Sequence, residues 1–251
     1  MATILNKLGL RYENIVLKHN RGKLKSRADA DVSVMVGKVK LESPVLCSNM
    51  PYLQRPNPRF LEIFNEKKWG YVYERLGGVD DILKFTTRIN EQNWHFKSIS
   101  VGIQESDRKL LKTIISNGLQ LDCLTIDVAF IYQPWALDFV KEVRQMFPDT
   151  YLIAGNFDSA AAAVELENIG VDCGKMGIGV SKNCSTLNRV GFGSCLISDL
   201  MNIKERCPDF DIMSDGGVSF NDRGEKNIGG VFKSLNFGSK MVFSASLFQN
   251  V

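Results

Sequence analysis

The sequence predicts an α/β protein, a (β/α)₈ TIM barrel with an N-terminal β-hairpin. Three observations favour this fold. Short β-rich runs alternate with amphipathic helical stretches, eight such strands can be counted, and the length of 251 residues is typical of one barrel. A doubly wound open sheet is the alternative, but no predicted strand is followed by the G-x-G-x-x-G pattern that opens a dinucleotide-binding helix.

The first predicted element is a hairpin. Polar and apolar residues alternate over residues 32–41 around Gly37-Lys38, a pattern typical of two antiparallel strands joined by a tight turn. We expect the hairpin to cover one end of the barrel.

The barrel strands and helices follow in alternation. The predicted strands are residues 44–49, 70–75, 98–103, 123–128, 150–156, 173–178, 210–215 and 240–245. The amphipathic stretches between them predict helices at residues 58–68, 79–91, 105–117, 135–147, 158–169, 196–206 and 227–237. An eighth helix is not expected. The chain is interpreted as one domain, residues 1–251, in which residues 1–42 form the N-terminal extension and hairpin.

Composition and charge exclude several classes of protein. The chain is 44% hydrophobic and 24% charged with a net charge of +3, which is ordinary for a globular protein. Residues 18–27 gather three lysines and two arginines, and we interpret this patch as a solvated face rather than a nucleic-acid site. No run of about 20 apolar residues predicts a membrane span.

The cysteines and histidines favour a cytoplasmic protein without a metal centre. The six cysteines contain no C-x-x-C pair and are expected to be reduced thiols. Only two histidines, His19 and His95, are present, and neither has a histidine or cysteine close by in sequence.

Polar residues gather at the carboxyl ends of the predicted strands, where barrel enzymes place their active sites. Asp215-Gly216-Gly217 follows the seventh strand and Ala245-Ser246 the eighth, the two positions at which barrels commonly hold phosphate on backbone N–H groups. A plain turn closed by the aspartate explains the same residues equally well.

Another polar loop follows the sixth strand. It carries Cys184 close to Lys182, and a nearby cation raises the thiolate fraction of an exposed cysteine. A small buried hydrophobic residue is the alternative interpretation of Cys184. Asp127 and Asn156 end the fourth and fifth strands at the same rim, where they could bind ribose hydroxyls or polarise a substrate.

Short motifs along most of the chain carry a family resemblance. They are residues 26–27, 31–33, 44–50, 98–102, 125–129, 153–156, 175–179 with Cys184 and Thr186, 215–217, 237–238 and 246–248. In their order and spacing the chain resembles the GMP reductase and IMP dehydrogenase family of (β/α)₈ barrels, and looks closest to the bacterial type of GMP reductase.

The resemblance implies a purine nucleoside monophosphate, GMP or IMP, as the bound ligand. It implies a phosphate held by Gly216, Gly217 and Ser246, with Asp215 on the ribose. The full set of implied substrate-binding residues is Ser48, Asn156, Gly177, Gly179, Asp215, Gly216, Gly217 and Ser246.

The resemblance also implies catalytic roles. The cysteine that matches Cys184 attacks C2 of the purine, and hydride passes between this adduct and NADPH. The threonine that matches Thr186 acts with a glutamate of a later flap, and Asp127 is assigned to the same catalytic group. The family forms tetramers, so a homo-oligomer is expected.

Several positions depart from the family pattern. Relatives have M-H-R where this chain has Tyr73-Glu74-Arg75, and they have D-x-A-H-G where it has 127–131 with Phe130. Ala245 replaces a glycine, Val180 to Lys182 replace P-G-S, and residues 221–227 look like an insertion. The family pattern also continues past the position of Val251, so the final helix and the flap are expected to be missing.

Two hypotheses follow from the matches and the departures. The first is a family barrel that has lost or greatly reduced its catalysis and acts as a purine-nucleotide-binding or protein-interaction module. The second is an active NAD(P)H-dependent purine nucleotide oxidoreductase of the GMP reductase type, with Cys184 as nucleophile. An unrelated barrel lyase or isomerase that uses Cys184 and Asp127 is less favoured.

The absence of an eighth helix has a structural consequence. The outer apolar faces of the last and first strands need a cover, because stable monomers rarely expose large apolar surfaces. We expect residues 1–17, which are rich in Ile, Leu and Val, or a partner protein to provide it.

Overall fold

A ring of parallel strands surrounded by helices forms the body of the protein. The computed structural model describes residues 9–18, 20–180, 189, 191–218 and 228–249. Seven parallel strands lie in the order β3-β9-β8-β7-β6-β5-β4, and β1 pairs antiparallel with β2. The strands are β1 Val34–Val36, β2 Val39–Leu41, β3 Val45–Cys47, β4 Ser98–Val101, β5 Cys123–Asp127, β6 Tyr151–Phe157, β7 Cys173–Met176, β8 Asp211–Asp215 and β9 Met241–Ser244.

The segment of residues 71–73 closes the ring between β3 and β4. Tyr71 forms a parallel bridge with Cys47, and Tyr73 forms one with Ile99. The predicted second strand is therefore present, although it is reduced to two bridges. Side-chain packing holds it in place, since the Tyr73 ring stacks on Phe85 at a centroid distance of 3.6 Å.

The helices confirm the predicted alternation. Their ends lie within about two residues of the predicted ones, an error typical of pattern-based boundaries. A short helix, α1, was not predicted. The helices are α1 Pro51–Gln54, α2 Phe60–Glu66, α3 Val79–Glu91, α4 Glu105–Ser116, α5 Pro134–Met146, α6 Ala160–Ile169, α7 Leu196–Arg206 and α8 Gly229–Asn236.

The hairpin prediction is also confirmed. Val36 pairs with Val39, and the turn between them places Gly37 at φ +57°, in the left-handed region that glycine tolerates best. A Cβ atom at position 37 would lie 3.3 Å from the Cβ of Tyr151, the first residue of β6. The hairpin therefore covers the amino-terminal end of the barrel, opposite the carboxyl ends of the strands.

The expected cover of β9 and β3 by residues 1–17 or by a partner stays a prediction, because residues 1–8 lie outside the described part of the chain. All four residues of β9 are buried, and after β9 the ring of Phe248 packs against Phe64 of α2 at a centroid distance of 5.1 Å. The described part of the N-terminal segment contacts other elements: Leu10 bonds to Ser198 of α7, and Tyr12 bonds to Ser234 of α8.

Free thiols occur at all five cysteines in the described part of the chain. Four of them are buried, and Cys195 is half-buried. Burial raises the pKa of the Cys47 and Cys123 thiols to about 12, so these thiols stay protonated at neutral pH. None of the helices described here is long and apolar enough to cross a membrane.

Gly155 of β6 tests how tightly the barrel wall is packed. A Cβ atom at this position would lie 2.1 Å from the carbonyl oxygen of Lys175 on the neighbouring strand. We expect Gly155→Ala to lower the free energy of unfolding by about 2–3 kcal/mol, because strand backbone cannot yield as a side chain can. Urea unfolding gives the measurement.

Gly22→Ala is the matched control, since no atom lies within 4 Å of a Cβ at that position. Its effect should stay within about 0.5 kcal/mol. Equal urea midpoints for the two variants would show that the wall at β6 is more loosely packed than the structure indicates.

Candidate functional site

A buried lysine joins three of the predicted site residues. Lys175 of β7 is only 3% exposed. Its Nζ donates to Oδ1 of Asp127 at 2.9 Å, to Oδ1 of Asn156 at 2.5 Å and to Oδ2 of Asp215 at 2.7 Å. These contacts use all three N–H groups of the ammonium. We call Lys175, Asp127, Asn156 and Asp215 the lysine centre; its residues come from the four consecutive strands β5 to β8.

Strand register explains why these side chains meet. Asp127 pairs with Gly155, and Gly155 pairs with Lys175, so the three positions lie side by side on adjacent parallel strands. Residues at one level of a parallel sheet point to the same face. Because Gly155 carries no side chain, the lysine can pass over it and reach Asp127.

The Asp127 side of the lysine centre is extended by neighbouring polar groups. Asn49 donates through Nδ2 to Oδ2 of Asp127 at 2.9 Å and to Oγ of Ser100 at 3.0 Å. Arg75 adds a second cation, with its Nε 3.5 Å from Oδ2 of Asp127. Both oxygens of the Asp127 carboxylate are therefore engaged.

The Asp215 side is tied to the exit of β7. Asn156 donates through Nδ2 to Oδ2 of Asp215 at 2.8 Å and to the carbonyl oxygen of Gly177 at 2.7 Å. Gly177 has φ +135°, and a Cβ there would lie 2.5 Å from the carbonyl oxygen of Asp215, so only glycine fits. Gly179 also lies in the left-handed region, at φ +68°.

Charge balance keeps the lysine centre ionised. Two carboxylates face the Lys175 ammonium and the Arg75 guanidinium, so the charges cancel. Burial alone would raise the pKa of Asp127, but Lys175, Asn49 and Arg75 outweigh it and lower this pKa to about 2. Burial lowers the pKa of Lys175, yet Asp127 and Asp215 raise it above its ordinary value. At neutral pH Asp127 is thus a carboxylate and a weak base.

Two glycines in the left-handed region form the turn that follows β8. Gly216 and Gly217 have φ +84° and +71°, and consecutive left-handed glycines bring backbone N–H groups to the surface of a turn. Gly216 donates its N–H to the carbonyl oxygen of Phe243 at 3.3 Å, which is long for a backbone hydrogen bond.

Ser48 and Ser246 follow β3 and β9, the two strands that come next to β8 in the sheet. Ser48 directly follows β3, is 5% exposed, and its buried Oγ has no hydrogen-bond partner. Its N–H bonds to the carbonyl oxygen of Ser244, the last residue of β9. Ser246 lies in the turn that follows, which is closed by a bond from Phe248 N to the oxygen of Ala245. Because β3, β9 and β8 are adjacent, these groups share one sector of the rim.

Two predicted catalytic residues, Cys184 and Thr186, lie outside the described residues. The chain is described as far as Val180, at the end of the turn that begins with Gly177. Among the described residues, no three His, Cys, Asp or Glu side chains are grouped in a way that could hold a metal ion. His95 instead bonds through Nε2 to the carbonyl oxygen of Lys40 at 2.7 Å.

Comparison with known proteins identifies the architecture and the family. The model of the "IMP dehydrogenase / GMP reductase domain" matches residues 72–251. The chain belongs to this family. GMP reductase of Helicobacter pylori strain G27 is 32% identical over 241 residues, which cover 94% of this chain and 70% of the relative. GMP reductase of Staphylococcus carnosus is 29% identical, with the same two coverages.

A solved structure agrees with the barrel fold. Inosine 5'-monophosphate dehydrogenase from Legionella pneumophila superposes with a TM-score of 0.80 at 22% identity, covering 96% of this chain and 70% of that protein. At this level of identity the similarity supports the fold alone.

The structure describes two of the positions that depart from the pattern of the IMP dehydrogenase / GMP reductase family, Glu74 and Phe130. Glu74 is completely buried; it accepts from Arg55 Nε at 2.6 Å and from the N–H groups of Leu76 and Gly77. Its carboxylate therefore organises the loop after residues 71–73. Phe130, in the loop after β5, is 39% exposed and has no group that can transfer a proton.

Sequence reasoning did not single out the residue at the middle of the site. Lys175 is part of the 175–179 motif, but the motif alone does not mark it as a site residue. It lies between Gly174 and Met176 in a completely buried strand. A charged residue inside a buried strand requires partners of opposite charge. That rule is the signal that would have found it, and it would have linked it to Asp127 and Asp215.

Removing the lysine should cost far more stability than removing a surface lysine. Lys175→Met leaves two carboxylates facing each other without their shared cation, and we expect a loss of about 3–5 kcal/mol. Lys112→Met is the matched control, because Lys112 is exposed on α4. Urea unfolding at neutral pH measures both, and a Lys175→Met loss below about 1 kcal/mol would contradict the pairing described here.

Acid should weaken the protein through Asp127. Its pKa is about 2 in the folded protein and 3.8 ordinarily, so the unfolded chain binds the proton more readily. The stabilisation, about 2 kcal/mol, is complete above about pH 4 and is lost as the pH falls through about 2. Asp127→Asn should remove this part of the pH dependence of unfolding, whereas Asp138→Asn, at an exposed position, should retain it. If the free energy of unfolding varied with pH in the same way for the wild type and Asp127→Asn, this contribution of Asp127 would be ruled out.

Proposed function

We propose that this barrel binds a purine nucleoside monophosphate, GMP or IMP, at its carboxyl-end rim, and that it turns over slowly compared with other reductases of its family. The observation that carries the proposal is the lysine centre. Lys175 holds Asp215 in one orientation, and among the described residues the hydrogen bonds of that side chain all go to Oδ2. Asp215 is 24% exposed, which suits Oδ1 to accept from a ribose hydroxyl.

The sector formed by β3, β9 and β8 suits the phosphate. The ladders pair Cys47 with Ser244 and Asp215 with Phe243, so the residues that follow these strands lie at similar heights. The unpartnered Oγ of Ser48 and the glycine turn both supply donors there. A buried hydroxyl without a partner, here that of Ser48, favours an anionic ligand that satisfies it, and the left-handed glycines add backbone N–H groups in the same sector.

Slow turnover is supported by two residues that differ from the family motif. Glu74 and Phe130 stand at the two positions where the family motifs have histidine. The Glu74 carboxylate is already bonded to Arg55 and to two backbone N–H groups, and Phe130 has only an aromatic ring. One acid or base group contributes about 10²–10⁴-fold to a rate. We therefore expect a rate lower by a factor of that order than in a relative with the family residues.

An active GMP reductase type of oxidoreductase is the second candidate. The lysine centre and the Gly177–Gly179 turn favour it, because they fix the chain up to Val180, four residues before Cys184. Cys184 would add to C2 of the purine as a thiolate. The half-exposed Phe130 and the exposed Trp135 near the rim suit a nicotinamide dinucleotide, and NADPH would supply the hydride when bound. Assembly with further copies of the chain also remains a prediction.

Calorimetric titration with GMP and IMP tests the binding proposal. We expect saturable binding by the wild-type chain and at least about tenfold weaker binding by Asp215→Asn. In that variant Lys175 and Asn156 hold the one carbonyl oxygen, so an NH₂ group replaces the acceptor Oδ1 that faces the ribose. Asp138→Asn, on the exposed face of α5, serves as the control and should bind like the wild type. Absence of binding at millimolar nucleotide would overturn the proposal.

A second arm of the same experiment separates the two candidates. NADPH-dependent conversion of GMP to IMP is measured beside the Helicobacter pylori relative, and we expect a rate about 10²–10⁴-fold lower. Cys184→Ala should abolish whatever rate remains. A rate equal to that of the relative would establish the active reductase instead.

A further inference from the structure

The N-terminal segment of residues 9–14 lies directly beside the proposed phosphate turn. Leu10 donates its N–H to Oγ of Ser198 at 2.7 Å, and Ser198 returns its own N–H to the carbonyl oxygen of Leu10 at 3.3 Å. A Cβ atom at Gly9 would lie 2.3 Å from Sγ of Cys195. The segment is therefore packed against the first turn of α7.

Tyr12 extends this contact to α8. Its side chain is 6% exposed, and its hydroxyl lies 2.6 Å from Oγ of Ser234. Lys233, the preceding residue of α8, donates through Nζ to the carbonyl oxygen of Tyr12 at 2.5 Å. Both the backbone and the side chain of Tyr12 are thus bound to the helix that follows the proposed phosphate turn.

The ring of Tyr12 also touches the turn itself. A Cβ atom at Gly217 would lie 3.4 Å from Cε2 of Tyr12 and 2.7 Å from Cγ1 of Val180. The Tyr12 ring and the Val180 side chain therefore both border the slot beside the Cα of Gly217. Without the ring, one wall of this slot is empty.

Burial raises the pKa of the Tyr12 phenol, while its hydrogen bonds to Ser234 and Ser214 act in the opposite direction. The phenol therefore stays neutral and remains a hydrogen-bond donor at physiological pH.

We propose that Tyr12 is a positioning residue for the phosphate of the bound nucleotide: by filling the slot beside Gly217 and bonding to Ser234, it holds the Gly216-Gly217 turn in the conformation that offers its N–H groups. This inference rests on the proposed function. It makes residues 9–14 part of the nucleotide site without any direct contact between Tyr12 and the ligand. Holding a site in its binding conformation raises affinity because less freedom is lost on binding.

Tyr12→Ala and Tyr12→Phe test the proposal by the affinity for GMP compared with guanosine, which lacks the phosphate. We expect Tyr12→Ala to weaken GMP about tenfold and guanosine by less than about twofold. Tyr12→Phe keeps the ring and loses only the bond to Ser234, so its effect on GMP should be smaller and equal to that of Ser234→Ala. Tyr132→Phe is the control, since it loses a similar bond, to Glu165, on the exposed surface.

Hydrogen exchange supplies a readout that needs no ligand. Amides of residues 216–218 should exchange about tenfold faster in Tyr12→Ala than in the wild type, while those of β4 should not change. This measurement also shows whether Tyr12→Ala is folded.

The outcomes separate this inference from the proposed function. Equal losses for GMP and guanosine, or unchanged exchange at residues 216–218, would overturn the role of Tyr12 even if the wild type binds GMP. If the wild type binds neither GMP nor IMP, the proposed function fails and so does the nucleotide part of this inference; the exchange experiment then decides whether Tyr12 holds the turn.

Discussion

The ammonium of Lys175, shared by two carboxylates inside the barrel, is the interaction on which the rest of the site depends. An unpaired charge at this depth would cost several kcal/mol, so Asp127 and Asp215 have to stand where they do. The same requirement constrains residues that carry no charge. Gly155 must lack a side chain so that the lysine can cross β6, and Asn156 must accept the third N–H. The same residues therefore determine both the stability of the barrel and the geometry of the site.

The fold was largely predictable, because most barrel strands are short, mainly apolar runs that alternate with amphipathic helical stretches. Prediction was weakest where a strand depends on side-chain packing. Residues 71–73 close the ring through two bridges, and the stacking of Tyr73 on Phe85 sets their position. No periodic pattern in the sequence predicts this contact. The contact of Phe248 with Phe64 was similarly hidden, since it joins residues that are far apart in the sequence.

The candidate site was predictable at its rim and not at its centre. Asp127, Asn156 and Asp215 end strands, and carboxyl ends of parallel strands always meet at one edge. Lys175 lies one step deeper, and its importance appears only when the partners of a buried charge are counted. Tyr12 was missed for another reason: residues 9–14 have no periodic pattern, so sequence could not place them between α7 and α8.

The saturation of Lys175 has a consequence for ligand orientation. Because its three N–H groups are all used by the protein, Lys175 offers a ligand no donor, and the carboxylate oxygen that the lysine centre leaves open is Oδ1 of Asp215. The side formed by β8, β9 and β3 offers donors, from the glycine turn and Ser48. The open acceptor of Asp215 and the unpartnered hydroxyl of Ser48 therefore lie on different strands of the rim, so a molecule that bonds to both is fixed at two points and cannot rotate freely.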